Sequence, residues 1–259
     1  PADVLISVMK KHQRYFPVID SQGKLLPYFI AVRNGDSIGL DVVTDGNEQV
    51  IKARFSDAHF FIKEDLKHKL EDLLKRLGTL TFQYKLGSML DKSQRITALV
   101  EPLTDELGLK TDEKAAALRA AVLCKADLVS HMVVEMTSLQ GIMGRYYALH
   151  SGETSAVAEA IREHYLPRYT GDSLPASKPG LVVGIADRLD SLVGLFAAGL
   201  APTGTKDPFA QRRAAIGLVQ LLSNFDIDFD LEKWMRIAAE KLPIEAGEKE
   251  LQACAEFIS

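Results

Sequence analysis

The sequence predicts a mainly α protein: a small α+β region at the N-terminus, then an all-helical domain. Three observations predict it. Strand-like runs rich in Val, Ile, Leu and aromatic residues are confined to residues 4–32. From Leu86 onward apolar residues recur at helical spacing almost without interruption. Pro167, Pro175, Pro179, Pro202 and Pro208 fall between those stretches, where helices end.

Taken in order, VLISVM (4–9) reads as a strand and YFPVI (15–19) continues extended. Asp20-Ser21-Gln22-Gly23 is a turn, and YFIAV (28–32) is the returning strand. Pro17 and Pro27 confine these strands to edges or irregular pairing. Gly46-Asn47 opens a helical stretch, with Val50, Ala53, Phe55, Ala58, Phe61 and Ile62 near helical spacing. Asp65 is suited to cap a following helix, with Leu66, Leu70, Leu73, Leu74 and Leu77 on one face and Gly78 at its end. Further helices are expected over 90–100, 112–136, 154–164, 180–200, 208–223 and 229–242. Loops are expected at 101–111, 137–153, 166–179 and 201–207. The organisation expected is an α+β segment over 1–84, a helical domain over 85–225 and a helical connector over 226–259.

With 47% hydrophobic and 25% charged residues, the composition is that of an ordinary globular protein. The formal net charge is −4, so any nucleic-acid contact must come from a local patch. Residues 1–87 carry about +2 and residues 88–259 about −6. Cys124 and Cys254 stand far apart with no CxxC, which excludes a disulfide framework and points to a reducing cytoplasm. No apolar run approaches the roughly 20 residues of a membrane span. The opening PADVLISVMKKHQRYF has neither an initiator Met nor a signal-peptide plan, and reads as the interior of a longer protein.

Two basic clusters are candidates for RNA. Lys10, Lys11 and Arg14 lie beside Tyr15-Phe16, where cations suit phosphates and aromatics suit bases. The competing reading is a solvated strand end over a buried aromatic pair. Lys206, Arg212 and Arg213 surround the Pro208 helix start, where backbone N–H groups suit an anion. The competing reading there is an internal salt bridge, for instance to Asp207.

No HxxxH, HExxH, GxxxxGK[ST], GxGxxG or GxSxG pattern is present. The segments REHYLPRYTGDSLP (162–175) and IADRLDSL (185–192) resemble the second half of an HD-type metal-dependent phosphohydrolase domain. The resemblance rests on His150, Glu163-His164, the Gly171 to Pro175 turn and Ala186-Asp187. The first half departs from that pattern. Lys92 stands where the family has its first His, and Cys124-Lys125 where it has a His-Asp pair. Divalent metals need neutral imidazoles and carboxylates, and these substitutes supply neither. On a helical wheel Lys125 falls at the centre of an apolar stripe formed by Leu118, Val122, Val129, Met132 and Met136, with Asp127 opposite. Lys125 is therefore expected either to replace the metal, paired to Asp187 or a nearby carboxylate, or to snorkel to the stripe's edge.

The whole chain resembles the β subunit of bacterial glycyl-tRNA synthetase. The resemblance is carried by MKKHQRYFPV (9–18), GNEQVIKARFSDAHFFIKED (46–65), KADLVSHMVVEMTSLQGIMGRYYA (125–148), AIREHYLPRYTGDSLP (160–175), ADRLDSLVGLFAAG (186–199) and PTGTKDPFAQRRAAIGL (202–218). It implies a share in the ATP- and Mg-dependent joining of glycine to tRNA-Gly. Class II catalysis lies in an α part, as a separate or fused chain, and tRNA recognition in the β part. It also implies a body-tail segment over 1–84, an HD-like domain over 85–225 and a connector toward an anticodon-binding domain. No catalytic residue, metal or cofactor is expected in this portion. The alternatives are an HD-type phosphohydrolase acting on nucleotides or RNA ends, and a structural module with no ligand.

Overall fold

The structure, a computed structural model, describes residues 1–225 and 227–259, and only the backbone of His12 and Gln13. About 63% of residues are helical and 7% lie in strands, so the chain is mainly α.

The first element differs from the expectation. Residues Ala2–Gln13 form helix α1, not a strand. Val4, Val8 and Met9 recur at helical spacing and are buried, while Lys10 and Lys11 face out. Packing of that face outweighs the weak strand preference of Val and Ile. Arg14 adopts a left-handed conformation (φ 53°), and the Tyr15 N–H donates back to the Met9 carbonyl at 3.0 Å. The chain then forms an antiparallel hairpin of β1 (Phe16–Ile19) and β2 (Leu25–Ile30). The Asp20 carboxylate holds its turn by accepting from the Gln22 and Lys24 N–H groups, each at 2.9 Å. Both strands of a two-stranded sheet are edges, which is why Pro17 and Pro27 are tolerated.

Helix α2 (Leu40–Asp65) starts earlier than Gly46-Asn47 and runs through it. Asp65 does not cap a following helix. It ends α2, is 4% exposed, and its carboxylate accepts from the backbone N–H groups of His131 (2.8 Å) and Met132 (3.0 Å). It therefore caps α5 (His131–Glu135), a helix distant in sequence. Residues Leu70–Thr79 form a 3₁₀ helix that buries Leu70, Leu73 and Leu77. A second small hairpin, β3 (Thr81–Gln83) and β4 (Gly87–Ser88), leads into α3 (Met89–Glu106). Ser88 and Asp91 cap α3 reciprocally: the Ser88 N–H donates to the Asp91 carboxylate (2.7 Å) and the Asp91 N–H to the Ser88 hydroxyl (3.2 Å).

The long helix expected over 112–136 is three pieces. Helix α4 (Thr111–Leu123) stops before Cys124, a 3₁₀ turn covers Ala126–Val129, and α5 starts after Ser130. The loop expected over 137–153 contains α6 (Ile142–His150). The rest follow as α7 (Ser155–Glu163), α8 (Lys178–Ala197), α9 (Gln211–Asn224), α10 (Leu231–Ala239) and α11 (Glu248–Ile258). Helix α8 is apolar on nearly every side, as a fully surrounded helix must be. Helices α3, α4, α7, α9, α10 and α11 pack around it. Among the described residues no helix is long and apolar enough to cross a membrane.

Candidate functional site

A buried ion-pair network lies where α3 meets α8. On α3, Lys92 and Arg95 are three residues apart and so share a face. On α8, Asp187, Asp190 and Ser191 share the facing side by the same spacing. Lys92 Nζ lies 2.9 Å from Asp187 Oδ1, 2.9 Å from Asp190 Oδ2 and 2.7 Å from Ser191 Oγ. Arg95 Nε donates to Asp190 Oδ1 at 2.5 Å and Nη1 to the Leu86 carbonyl at 2.9 Å.

The break between α4 and α5 delivers the third cation. Lys125 precedes the 3₁₀ turn, is 3% exposed, and lies 2.7 Å from Asp187 Oδ2. Its ammonium also bonds His164 Nε2 at 2.9 Å and sits 4.2 Å from the centre of the Tyr165 ring. The His164 Nδ1 lies 2.7 Å from the Ile161 carbonyl, so Nδ1 carries the proton and Nε2 accepts from Lys125. The pairing of Lys125 with Asp187, one of its two expected positions, is the one the structure adopts. The edge position is not. Asp127 is not opposite the core either: it is fully buried and accepts from the Gly141 (2.6 Å) and Gly144 (2.9 Å) N–H groups. The wheel fails there because the helix ends at Leu123.

Three cations thus surround two carboxylates. Burial alone would raise the Asp187 pKa, but the Lys125 and Lys92 ammoniums hold it well below the usual carboxylate range. Burial pulls Lys92 down, yet Asp187 and Asp190 outweigh it and leave its pKa raised. His164 is held well below the usual imidazole range by burial and by Lys125, and stays neutral. The arrangement is a closed set of charges with no protonated acid or free base aimed at a substrate.

Of the other predicted pocket residues, Cys124 is buried beside the network, its thiol donating to the Ala121 carbonyl at 3.3 Å. Burial pushes that thiol up to about 12, so it is an inert core group. His150 is exposed at the end of α6, outside the pocket. His150 is therefore not a member of the HD-like pocket that holds His164 and Asp187. Among the described residues no three His, Cys, Asp or Glu side chains converge as a metal would require. The ligands that do converge, His164 and Asp187, are taken by the Lys125 ammonium, so a resident metal does not fit these residues.

The basic candidates fare unequally. Lys10 and Arg14 are exposed; Lys11 is exposed but donates to the Glu135 carbonyl at 2.7 Å. Tyr15 is in the core, stacked on Phe29 at 4.7 Å with its hydroxyl donating to Asn47 at 2.8 Å, while Phe16 is exposed. Lys206 and Arg213 are exposed. Arg212 is tied back, donating to the Gly204 carbonyl at 2.8 Å and lying 3.9 Å from Asp207. Helix α9 begins at Gln211, not at Pro208, and its anion position is filled. The Asp207 carboxylate accepts from the Gln211 (2.8 Å) and Arg212 (2.9 Å) N–H groups. The internal reading holds for Arg212.

Sequence reasoning missed Arg95, Asp190 and Arg188. The first two were legible as partners by the three-residue spacing that relates Lys92 to Arg95 and Asp187 to Asp190. Arg188 is 7% exposed and donates to the carbonyls of His164 (3.1 Å), Leu166 (2.9 Å) and Pro167 (3.2 Å). No local pattern marks a guanidinium that holds a distant loop by its backbone.

The family model described as Glycyl-tRNA synthetase beta subunit matches residues 1–259. The chain is 49% identical to a glycine–tRNA ligase beta subunit from Desulforudis audaxviator over 252 residues, covering 96% of this chain and 37% of that protein. It is 51% identical to one from Clostridioides difficile over 232 residues, covering 90% and 33%. A third, from Synechocystis, is 49% identical over 231 residues, covering 89% and 32%. The chain therefore spans about a third of the length of the curated relatives it matches. With the family model matched from end to end and relatives at about half identity over most of its length, the chain belongs to the glycyl-tRNA synthetase beta subunit family.

Proposed function

We propose that this chain is a tRNA-engaging scaffold within glycine–tRNA ligase, acting in the cytoplasm beside an α part, separate or fused, that carries ATP, Mg and the glycylation chemistry. The observation that carries the reading is the Lys125 ammonium between His164 and Asp187. It supports a structural role for the pocket against the phosphohydrolase alternative, because the groups that would bind a metal are engaged by the chain's own cation. Family membership supports tRNA-Gly as the partner. Lys10, Lys11 and Arg14 are the exposed cations proposed for phosphate, followed by Lys206 and Arg213; Arg212 contributes less, being tied to Gly204.

Fluorescence anisotropy with labelled tRNA-Gly over a salt series tests this. The chain is expected to bind with a negative log–log salt slope. Replacing Lys10, Lys11 and Arg14 with Ala should flatten it by roughly 0.7–0.9 per lost phosphate contact. Binding no better than a neutral control protein at low salt would overturn the tRNA reading. Metal-dependent release of phosphate from nucleotides, lost in Asp187→Asn, would favour the hydrolase.

A further inference from the structure

A second cationic site lies outside the network just described, in a cleft of about 300 Å³ between α6, α7 and the loop that follows α7. Arg145 comes from α6, Glu159 and Arg162 from α7, and Arg168 from the loop, with Gln140 and Asp3 also lining it. Its lining holds three guanidiniums against two carboxylates, in the half of the chain whose net charge is negative.

The guanidiniums are aimed rather than loose. Glu159 stands between two of them, accepting from Arg145 Nε at 2.5 Å and from Arg162 Nε at 3.2 Å. Among the described residues those are the only side-chain hydrogen bonds of Arg145 and Arg162, so all four of their Nη groups keep their donors free. Arg168 is turned by Asp172, whose carboxylate accepts from its backbone N–H and its Nε, both at 2.9 Å. Arg145, Arg162 and Arg168 retain 41%, 40% and 46% side-chain exposure.

The loop is held at both ends. Arg188 fixes the carbonyls of residues 164–167 from below. Glu163 accepts from the Ala176 N–H (3.1 Å) and the Ser177 N–H (3.0 Å) at the far end. Next to Arg168 this loop presents Tyr169, 61% exposed, with the guanidinium carbon 6.0 Å from its ring centre. A planar donor fork suits a phosphate, and an uncovered ring on a fixed loop suits a nucleobase free of its own stack. An acidic peptide would use the arginines but leave the ring without a role.

We propose that this cleft binds a phosphodiester of an unpaired RNA nucleotide, with Arg145, Arg162 and Arg168 on the phosphate and Tyr169 stacked on the adjacent base. The proposal rests on the tRNA reading above and names a surface for it beyond the predicted lysines.

The test is anisotropy with labelled tRNA-Gly, using the full chain over a salt series. The triple variant Arg145→Gln, Arg162→Gln, Arg168→Gln should flatten the log–log slope by about 2, at roughly 0.7 per contact to an unpaired strand. Tyr169→Ala should weaken binding about tenfold with the slope unchanged, because a stacking ring carries no charge, and Tyr169→Trp should restore it. Glu159→Gln should tighten binding, a gain that misfolding cannot imitate. A triple variant with the parent's slope and affinity, or a Tyr169→Ala variant with full affinity, overturns the site while leaving the tRNA reading intact. A triple variant that keeps its RNA binding but loses association with the α part assigns the cleft to a protein and also overturns it. Absence of RNA binding by the parent overturns the tRNA reading itself.

Discussion

Asp187 accepts charge from two ammoniums at once, Lys92 on Oδ1 and Lys125 on Oδ2. The two partners are not equally replaceable. Lys125→Met keeps most of the side chain's length and leaves Asp187 paired to Lys92, and His164 loses only a donor. Asp187→Asn leaves Lys125 with a neutral imidazole and an amide, and Lys92 with Asp190 as its remaining carboxylate beside the Ser191 hydroxyl. Breaking a buried pair by removing one partner costs about 3–5 kcal/mol, because the remaining charge stays desolvated. Asp187→Asn is therefore expected to lower stability by about that amount and Lys125→Met by clearly less, measured by urea unfolding at pH 7. Equal losses would show that the two ammoniums do not share Asp187 as the geometry implies.

Among the elements, α2 and α5 are joined through one side chain. Besides the two N–H groups of α5, the Asp65 carboxylate takes the Tyr147 hydroxyl at 2.6 Å and faces His131 Nδ1 at 2.7 Å. Asp65→Asn keeps the shape but turns one acceptor into a donor against groups that also donate. A buried donor left unmatched costs about 1–3 kcal/mol, and Asp65→Asn should lower the unfolding free energy within that range. Asp57→Asn, on an exposed stretch of the same helix, should change little. Asp65 also shows where sequence reading stops. Its residue type suits a helix N-terminus, and it does cap one, but across 66 residues rather than at its own position. The break after Leu123 is equally non-local, stabilised by Asp127 accepting from the start of α6. In helix α1 Val and Ile suit a strand by residue type, while the spacing of Val4 and Val8 fits a helix. By contrast α3, α7, α8, α9 and α10 were legible from periodicity and from the prolines and glycines between them. Of the buried network, the pairing of Lys125 with Asp187 was legible because an ammonium among apolar neighbours must be compensated, although the helical stripe that suggested it stops at Leu123. His150 was misplaced because the resemblance that suggested it is positional, and α6 ends with that side chain facing solvent.

For the whole molecule, the buried charges couple folding to acid. Three groups dominate and their signs differ. His164, depressed in the folded state, stays neutral there while the unfolded chain takes up a proton below about pH 6.5, so it removes stability as pH falls. Asp127 is raised to about 6 by burial, against the N–H groups of Gly141 and Gly144 that favour its charged form. Between about pH 6 and its unfolded value the folded state holds that extra proton, so Asp127 adds stability as pH falls. Asp187, well below the usual range, contributes stability that is present above about pH 4 and is lost below it. Around pH 4–6 the first two oppose each other, and the net loss should steepen once Asp187 joins His164 below that window. His164→Gln, which can still accept from Lys125, removes the imidazole's contribution alone. The stability of the parent relative to this variant should then fall by about 1.4 kcal/mol per pH unit on acidification below pH 6. Urea unfolding of both proteins at pH 7, 6 and 5 measures it. A difference that stays constant over that range would mean that His164 takes up its proton equally in the folded and unfolded states, and one that grows in the parent's favour on acidification that the folded state holds it protonated against Asp187.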